Sequence, residues 1–370
     1  MKRERLLNIM RDKFPNEYAE DWDNTGFMID CGKTKYERIL TALELTPEVM
    51  REAIETRSEL VITHHPLIFK PIKNLDASLA EDRLVMDCIK NDISVFSIHT
   101  NCDNHEGGTN DYLSDLIGLE GTQALNPLKG AYCKLIVFVP SEHVSAVTEK
   151  MGEMGGGSIG SYSDCTFSSK GIGSFRPLDG ANPHIGEIGK LEKVDEMRVE
   201  TILPFEKVKS TIEELKSVHP YEEMAYDIIH LENIRKNSGG GRVGMLSKPR
   251  KFKMLLAMLK DLLSAEVLKY TGDEERIIEK VGLCTGSGSD FIRDAYKSGV
   301  ECFLTGDIKY HDAQFARMNN LALVDIGHYE SEDFFKHLIK KMLSEEIEST
   351  SSKCEIHVSD ADINPFKYYL

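Results

Sequence analysis

The stretch Leu60–Phe69 reads LVITHHPLIF, and it predicts a short buried strand that ends at two adjacent histidines. Leu60, Val61 and Ile62 supply the apolar run, and Pro66 prevents the backbone from continuing as either strand or helix. Neighbouring side chains on extended backbone point to opposite faces, so the two histidines can reach different partners. The alternative is a pair of hydrogen-bonded loop histidines, and the rest of the chain decides between the two interpretations.

The bulk composition is that of a globular protein. The chain has 370 residues, enough for two or three domains, with 41% apolar and 29% charged residues. Its net charge of -16 argues against a nucleic-acid-binding surface, which would be basic. The charge does not exclude an anionic substrate, because a bound metal ion can invert the local potential.

Cysteine usage and hydropathy indicate the compartment. The eight cysteines include no CxxC pair, which favours free thiols in a reducing compartment over a disulfide framework or a zinc ribbon. The N-terminus lacks the apolar stretch of a secretory signal, and no window approaches the roughly 20 apolar residues of a membrane span. We therefore expect a cytoplasmic protein that contacts no membrane.

Strands and helices alternate in the first third of the chain. The segments RILTALEL (38–45), LVIT (60–63) and ISVFSIHT (93–100) read as strands, with helical patterns between them. This alternation predicts a parallel or mixed α/β sheet, in which ligands collect at the carboxyl ends of the strands. His99 follows a predicted strand as His64 does, and Asp103 lies four residues further on.

The middle of the chain has a different character. Residues 127–235 show the order β-α-β-β-α-β, which is typical of a ferredoxin-like α+β domain inserted into another domain. We therefore predict an outer α/β domain whose first lobe is 1–126 and whose second lobe is 236–370. The stretch NSGGGRVGM, beginning at residue 237, is interpreted as a glycine-rich linker between the insert and the second lobe.

Two more strand ends in the second lobe carry potential ligands. Asp307 and His311 lie four residues apart after one strand, and His328 and Glu332 lie four apart at the start of a helix. A His and a Glu one helical turn apart, about 6 Å between Cβ atoms, can bind one metal ion. The alternative is a surface pair at the helix terminus. Residues 285–291 (TGSGSDF) could bind an anion through backbone N–H groups, or could need glycine for steric reasons alone.

These strand ends together indicate a metal centre. Imidazole and carboxylate ligands suit zinc, manganese or iron, and their number exceeds the needs of one tetrahedral ion. Two ions bridged by a carboxylate would account for all of them.

The motifs ITHHPLIF, HTNCDNHEGGTND, TGDIKYHDA and DIGHYESE, with WDNTG near the start, closely resemble the NIF-three-like family. Its bacterial members include homologues of GTP cyclohydrolase 1 type 2, and the resemblance covers nearly the whole chain. It implies a two-lobed α/β domain with a dinuclear metal site, assembled as a toroidal homohexamer. The segment SVHPYEEMAYDII resembles the insert of longer members, a domain similar to the PII signal transducers.

The resemblance also implies roles for individual residues. It implies two divalent ions per chain, with zinc as the expected metal and manganese or iron as alternatives. Glu332 would be the bridging ligand, and the full implied ligand set is His64, His65, Asp103, His328 and Glu332. Three further residues match motif positions beside these ligands: His99, Asp307 and His311. Of these, His99 or His311 would shuttle protons as the catalytic histidine.

The implied reaction is the hydrolytic opening of the guanine imidazole ring of GTP, giving formate and a dihydroneopterin triphosphate-type product. The attacking group would be a metal hydroxide. The sequence contains neither a guanine-reading NKxD motif nor a P-loop. Two alternatives remain open: a non-enzymatic metal-binding hexamer acting as regulator, metal chaperone or scaffold, and a metal-dependent hydrolase of another nucleotide or phosphoester.

Overall fold

The computed structural model describes residues 1–348, 353–361 and 363–369. The chain forms two compact units. The main unit is discontinuous, combining Met1–Leu128 with Lys236–Leu370, and the inserted unit is Lys129–Arg235. Within the described residues, no helix has the length and apolar character needed to cross a bilayer.

The first segment of the main unit alternates strands and helices, as the sequence predicts. Its elements, in chain order, are α1 (Arg3–Lys13), β1 (Gly26–Ile29), β2 (Arg38–Ala42), α2 (Pro47–Glu55), β3 (Leu60–Thr63), α3 (Ala80–Lys90), β4 (Ser94–Ser97), α4 (Thr100–Asp103), α5 (Thr109–Ile117) and β5 (Leu119–Leu128).

The inserted unit has the order β-α-β-β-α-β. Its elements are β6 (Tyr132–Pro140), α6 (Val144–Glu153), β7 (Thr166–Phe175), β8 (Glu192–Pro204), α7 (Val208–Val218) and β9 (Tyr226–Leu231). The four strands form an antiparallel sheet in the order β7-β8-β6-β9. Apolar side chains of α6 and α7 pack with those of the sheet in one core, which includes Val137, Val147 and Leu215.

The second segment of the main unit contains the remaining elements. They are β10 (Arg235–Lys251), α8 (Phe252–Leu262), β11 (Lys269–Thr271), β12 (Ile277–Leu283), α9 (Ile292–Lys297), β13 (Cys302–Thr305), α10 (Tyr310–Met318), β14 (Ala322–Asp325), α11 (His328–Glu332), α12 (Phe335–Glu348) and β15 (Glu355–Val358). The mixed α/β fold class predicted from the sequence is therefore confirmed.

The first sheet of the main unit has the strand order β1-β4-β3-β2-β15. All its pairs are parallel except β1 with β4. Strand β3 lies at its centre and is buried on both faces: Leu60 and Ile62 share a core with α1 and α12, whereas Val61 packs with α2 and α3. A central parallel strand covered by helices on both sides needs a continuous apolar run, and this is why LVI carries no polar residue.

The second sheet has the order β11-β14-β13-β12-β10-β5, with β12, β13 and β14 parallel. Strand β13 is buried on both faces, as β3 is. Leu304 packs in the core with α5 and α8, whereas Phe303 packs on the opposite face with α9 and α10. Both sheets therefore direct the carboxyl ends of buried parallel strands toward loops that carry polar side chains.

The glycine-rich stretch after residue 237 is part of a strand, so its interpretation as a linker is wrong. It lies within β10, which pairs with β12 in antiparallel register. Close neighbours exclude larger residues from this stretch, since a Cβ on Gly240 would lie 2.4 Å from the Phe291 ring. Such a strand shows no apolar periodicity, because these contacts leave room only for glycine at several positions.

Arg242 is the buried anchor of this strand, with a residual exposure of 1%. Its guanidinium donates to Asp111 (2.9 Å for Nη2), to the His105 carbonyl (2.9 Å) and to the Gly239 and Gly241 carbonyls (2.8 Å each). The ion pair and the carbonyls satisfy a charge that would otherwise be costly to bury. Strand β10 is thereby attached to α5 in the first segment.

The main unit should fold without residues 129–235. A Cβ on Gly239 would lie 2.2 Å from the Asn126 carbonyl oxygen and 2.8 Å from the Leu128 nitrogen, so the two ends of the main unit's chain are neighbours. We expect a variant that joins Leu128 to Lys236 through a short Gly/Ser linker to remain folded and to keep its metal content, because every predicted ligand lies in the main unit. Thermal melting and elemental analysis measure the two properties. Loss of metal from a folded variant would contradict the prediction.

Candidate metal centre

His64 is held in one orientation at the end of β3. The backbone N–H groups of His64 and His65 both donate to the Leu43 carbonyl, at 2.9 Å each, which turns the chain sharply after the strand. The His64 side chain is fully buried, and its Nδ1 lies 2.8 Å from the Ile98 carbonyl oxygen. A carbonyl can only accept, so Nδ1 carries a proton, and Nε2 is the ring atom available to a metal ion. That buried Nε2 has no hydrogen-bond partner.

Glu332 lies opposite this nitrogen, at the end of α11, and is 4% exposed. Its two carboxylate oxygens face different histidines. Oε1 lies 3.6 Å from Nε2 of His64, whereas Oε2 lies 3.1 Å from Nε2 of His65 and 3.1 Å from Nε2 of His328. Asp103 approaches His64 from another side, with its Oδ1 3.6 Å from Nε2.

The structure thus brings the five predicted ligands together, and His99 joins them. Ligand atoms lie within 4.8 Å of one another in three groups, each of which could hold a metal ion: His64, His65 and His99; His65, His328 and Glu332; and His64, Asp103 and Glu332. The donors are imidazole nitrogens and carboxylate oxygens, a set suited to a divalent transition metal ion. An unpartnered buried Nε2 aimed into the cluster fits a metal ligand, since burying a polar atom without a partner costs free energy.

Carboxylates beyond the cluster hold the other imidazoles. Asp307 Oδ2 lies 2.7 Å from Nδ1 of His328, and Asp23 Oδ1 lies 2.7 Å from Nδ1 of His99. Glu44 lies 3.8 Å from Nδ1 of His65. The two contacts at 2.7 Å, from Asp307 and Asp23, favour the tautomer that leaves Nε2 free for a metal and increase its basicity.

Asp23 and Glu44 were not singled out from the sequence. Asp23 lies in WDNTG, where it reads as an ordinary turn residue, and it bonds His99 from 76 positions away. Burial alone would raise the Asp23 pKa, but hydrogen bonds from His99 and Thr100 lower it to about 2, so it is a carboxylate. Glu44 follows β2, and the rule that ligands collect at strand ends would have identified it.

His311 is not part of the three groups. It is exposed in the first turn of α10, where its ring lies 5.4 Å from that of Tyr310. Its predicted role in proton transfer stays a prediction. Asp307, from the same motif, is by contrast drawn to the cluster through its contact with His328.

The carboxylates and histidines of the cluster shift one another's pKa values. Burial alone would lower the pKa of His65, but Glu332 and Glu44 outweigh it and raise this pKa to about 10. A hydrogen bond to Glu332 raises the pKa of His328 to about 9, with Asp307 contributing and burial opposing. Burial would raise the pKa of Glu332, but the three neighbouring histidines hold it well below its usual range.

Gly286 makes room for Glu332. It lies in the glycine-serine loop after β12 with φ +61, and a Cβ there would lie 2.0 Å from Glu332 Oε1. The loop's own N–H groups are used internally: Gly286 donates to Ser331 Oγ (2.9 Å) and Gly288 to Thr305 Oγ1 (2.8 Å). Glycine is therefore required at position 286 for steric reasons, and these two N–H groups already have acceptors within the protein.

A cavity of about 710 Å³ opens beside the cluster. His65 and His328 lie on its wall, together with residues of β14, the loop that follows it, and the C-terminal segment 363–369. Nothing in the sequence patterns indicated that the C-terminal segment lies at the site.

Known proteins match this chain over its full length. A family model described as Duf34/NIF3 (NGG1p interacting factor 3) matches residues 1–365. A Bacillus subtilis (strain 168) protein named GTP cyclohydrolase 1 type 2 homolog is 37% identical over 370 residues, which cover 99% of this chain and 98% of that protein.

Solved structures agree with the fold. A Bacillus cereus protein related to NIF3 has a TM-score of 0.87 and 34% identity, with coverage of 100% of this chain and 99% of its own. Staphylococcus aureus protein SA1388 has a TM-score of 0.77 and 27% identity, with coverage of 100% and 99%.

Replacement of Gly286 by alanine should weaken metal binding. The added methyl group would displace the Glu332 carboxylate, and such changes around a metal site typically cost roughly 10–100-fold in affinity. The matched control is Gly32→Ala, which has the same left-handed backbone (φ +74) but no atom within 4 Å of the new methyl group. Elemental analysis and thermal melting of both variants separate metal loss from backbone strain. Equal metal content in the two variants would contradict the assigned role of Gly286.

Metal binding should release protons. At about pH 7.5, His65 and His328 of the metal-free protein are protonated, because their pKa values are about 10 and about 9. Each must lose its proton before it can bind a metal ion, so about two protons per chain should be released at that pH, and the affinity should rise up to about pH 10. Calorimetric titrations with zinc in buffers of different ionisation enthalpy count the protons. A heat that is independent of the buffer would show that the two histidines are already neutral in the metal-free protein, which would contradict the prediction.

Proposed function

The chain belongs to the Duf34/NIF3 family, and from that premise we propose that it is a metal-dependent hydrolase with a dinuclear centre. Two divalent ions, expected to be zinc with manganese or iron as alternatives, would be held by the predicted ligands: His64, His65, Asp103, His328 and Glu332.

One observation carries the proposal of two ions. Glu332 presents Oε1 to the group that contains His64 and Asp103, and Oε2 to the group that contains His65 and His328. A carboxylate that belongs to both groups, with one oxygen toward each, is the arrangement that a bridging ligand requires. A single ion would leave one of these groups without its positive charge.

The chemistry that such ions supply is activation of water, because a metal lowers the pKa of a bound water toward neutrality. The chain's own residues provide orientation and proton transfer. Asp23 fixes His99 with the proton on Nδ1, so that Nε2 can accept a proton near the cluster. Asp307 orients His328 in the same way, and it leaves Nε2 facing Glu332.

The names of the curated relatives suggest a substrate. They name a GTP cyclohydrolase homologue, and the family resemblance implies hydrolytic opening of GTP with release of formate, so we take this as the first activity to assay. The inserted unit has the β-α-β-β-α-β order of ferredoxin-like domains, and it would favour the regulatory alternative if it were PII-like. We propose that it is the PII-like domain that the sequence resemblance implies.

Assembly and compartment are also proposals. The resemblance supports a toroidal homohexamer. All eight cysteines are free, which supports a reducing compartment, and we propose the cytoplasm.

Formate release from GTP should require both the metal and its ligands. We expect activity in wild-type protein reloaded with zinc, manganese or iron(II), and a fall to the metal-free level in Asp103→Ala and His65→Ala. Asp23→Asn should lose roughly 10–100-fold, because it removes the partner that orients His99. His143→Ala, in the inserted unit, is the control that should keep full activity.

The assay distinguishes the alternatives. Formate release that survives both ligand substitutions would place the chemistry elsewhere. A fully loaded wild-type protein that releases no formate from any nucleotide would refute hydrolysis of these substrates and favour the regulatory function.

A further inference from the structure

The cavity beside the cluster has a wall made by the C-terminal segment. Asn364 Nδ2 donates to Glu330 Oε1 at 3.1 Å, which attaches the segment to α11. The Phe366 N–H donates to Asn364 Oδ1 at 3.0 Å, which bends the segment around that side chain. Phe366 and Tyr368 then line the cavity, which also includes His65 on its wall.

The wall of the cavity carries more carboxylates than lysines or arginines. Of the charged residues on its wall other than histidine, four are carboxylates and one is a lysine. The lysine, Lys269, forms an ion pair with Asp325, with 2.6 Å between Nζ and Oδ2. Three carboxylates, those of Glu44, Asp307 and Glu330, therefore remain without a lysine or arginine on the wall.

Bound metal would not reverse this balance. The ligands Asp103 and Glu332 add two carboxylates to the three unpaired ones, so five negative charges face the four positive charges of two divalent ions. A nucleoside triphosphate brings about four more negative charges into the same space. Like charges that face one another cost binding free energy, and this arrangement disfavours polyphosphates in particular.

The wall does offer contacts for a planar ring. Phe366 is 70% exposed and Tyr368 is 39% exposed, so both have free ring area. Aromatic side chains stack on heteroaromatic bases, and stacking does not require charge. Glu330 lies on the same wall, and a carboxylate can accept hydrogen bonds from two adjacent N–H groups of a ring.

We propose that this cavity binds an unphosphorylated planar heteroaromatic compound with ring N–H donors, a nucleobase or nucleoside, more tightly than it binds the corresponding nucleoside triphosphate. The inference rests on the proposed function, since it specifies the substrate class of the same site. Glu330 and Phe366 are its specificity-determining residues: the carboxylate accepts from the ring N–H groups, and the phenyl ring stacks on the base.

Binding of guanosine and GTP to the full-length metal-loaded protein tests the inference. Isothermal titration at constant ionic strength should give at least about tenfold tighter binding of guanosine than of GTP. Phe366→Ala should weaken guanosine binding about tenfold through lost stacking. Glu330→Gln should weaken guanosine binding and reduce the discrimination against GTP, because it replaces one of two acceptor oxygens with an amide donor and removes a negative charge.

Matched controls separate these effects from general ones. Glu345→Gln removes an exposed carboxylate on α12, and Phe167→Ala removes an exposed phenyl ring of the inserted unit. Neither control substitution should change the affinity for guanosine or for GTP. The same titrations with metal-free protein show whether the preference for guanosine comes from the wall or from the ions. If it comes from the carboxylates of the wall, GTP should bind still more weakly without metal.

The outcomes also distinguish this inference from the proposed function. GTP binding tighter than guanosine in the wild type, or no guanosine binding at all, would overturn the inference. Formate release from GTP without guanosine binding would overturn the inference and leave the hydrolase standing. Guanosine binding that depends on Glu330 and Phe366, with no formate from any nucleotide, would support the inference and refute the hydrolase.

Discussion

The structure of the site depends on one constraint, the burial of the Glu332 carboxylate. A carboxylate that is 4% exposed needs positive charge or donors around it, and three imidazoles surround this one. In the metal-free chain the histidines meet that need by holding protons, which is why the pKa values of His65 and His328 are raised. A metal ion could meet the same need with neutral histidines, and protons and metal would then compete for one set of atoms.

The same constraint reaches into the fold. Glu332 can lie where it does because Gly286, in the loop after β12, has no side chain, and because Gly306 lets the next loop approach closely. A Cβ on Gly306 would lie 2.7 Å from the Gly286 carbonyl oxygen and 2.8 Å from the His328 nitrogen. The strand ends of two sheets of one unit thus meet at one point, and backbone packing sets the distances between the candidate ligands.

The sequence predicted the parts of this site that depend on local pattern. An apolar run ending in two histidines marks a buried strand end, and a His and a Glu four apart on a helix must share a face. Contacts between distant turns leave no such pattern. Asp23 resembles any turn aspartate until His99 is seen beside it, and the C-terminal segment has no periodicity that would connect it with Glu330. Strand β10 was not predicted for a related reason. Its glycines are needed because other parts of the chain lie close to them, and they give no apolar pattern that would indicate a buried strand.

The carboxylates that orient the histidines also determine what can enter the site. Asp307 and Glu44 are oriented toward imidazole Nδ1 atoms, and both lie on the cavity wall. They increase the basicity of the histidines, and their negative charge also acts on any molecule in the cavity. An anion in the cavity would be repelled by these carboxylates unless a bound cation offset their charge. The side chains that orient the histidines are thus the same ones that would repel a polyphosphate, so a change that favours one property would weaken the other.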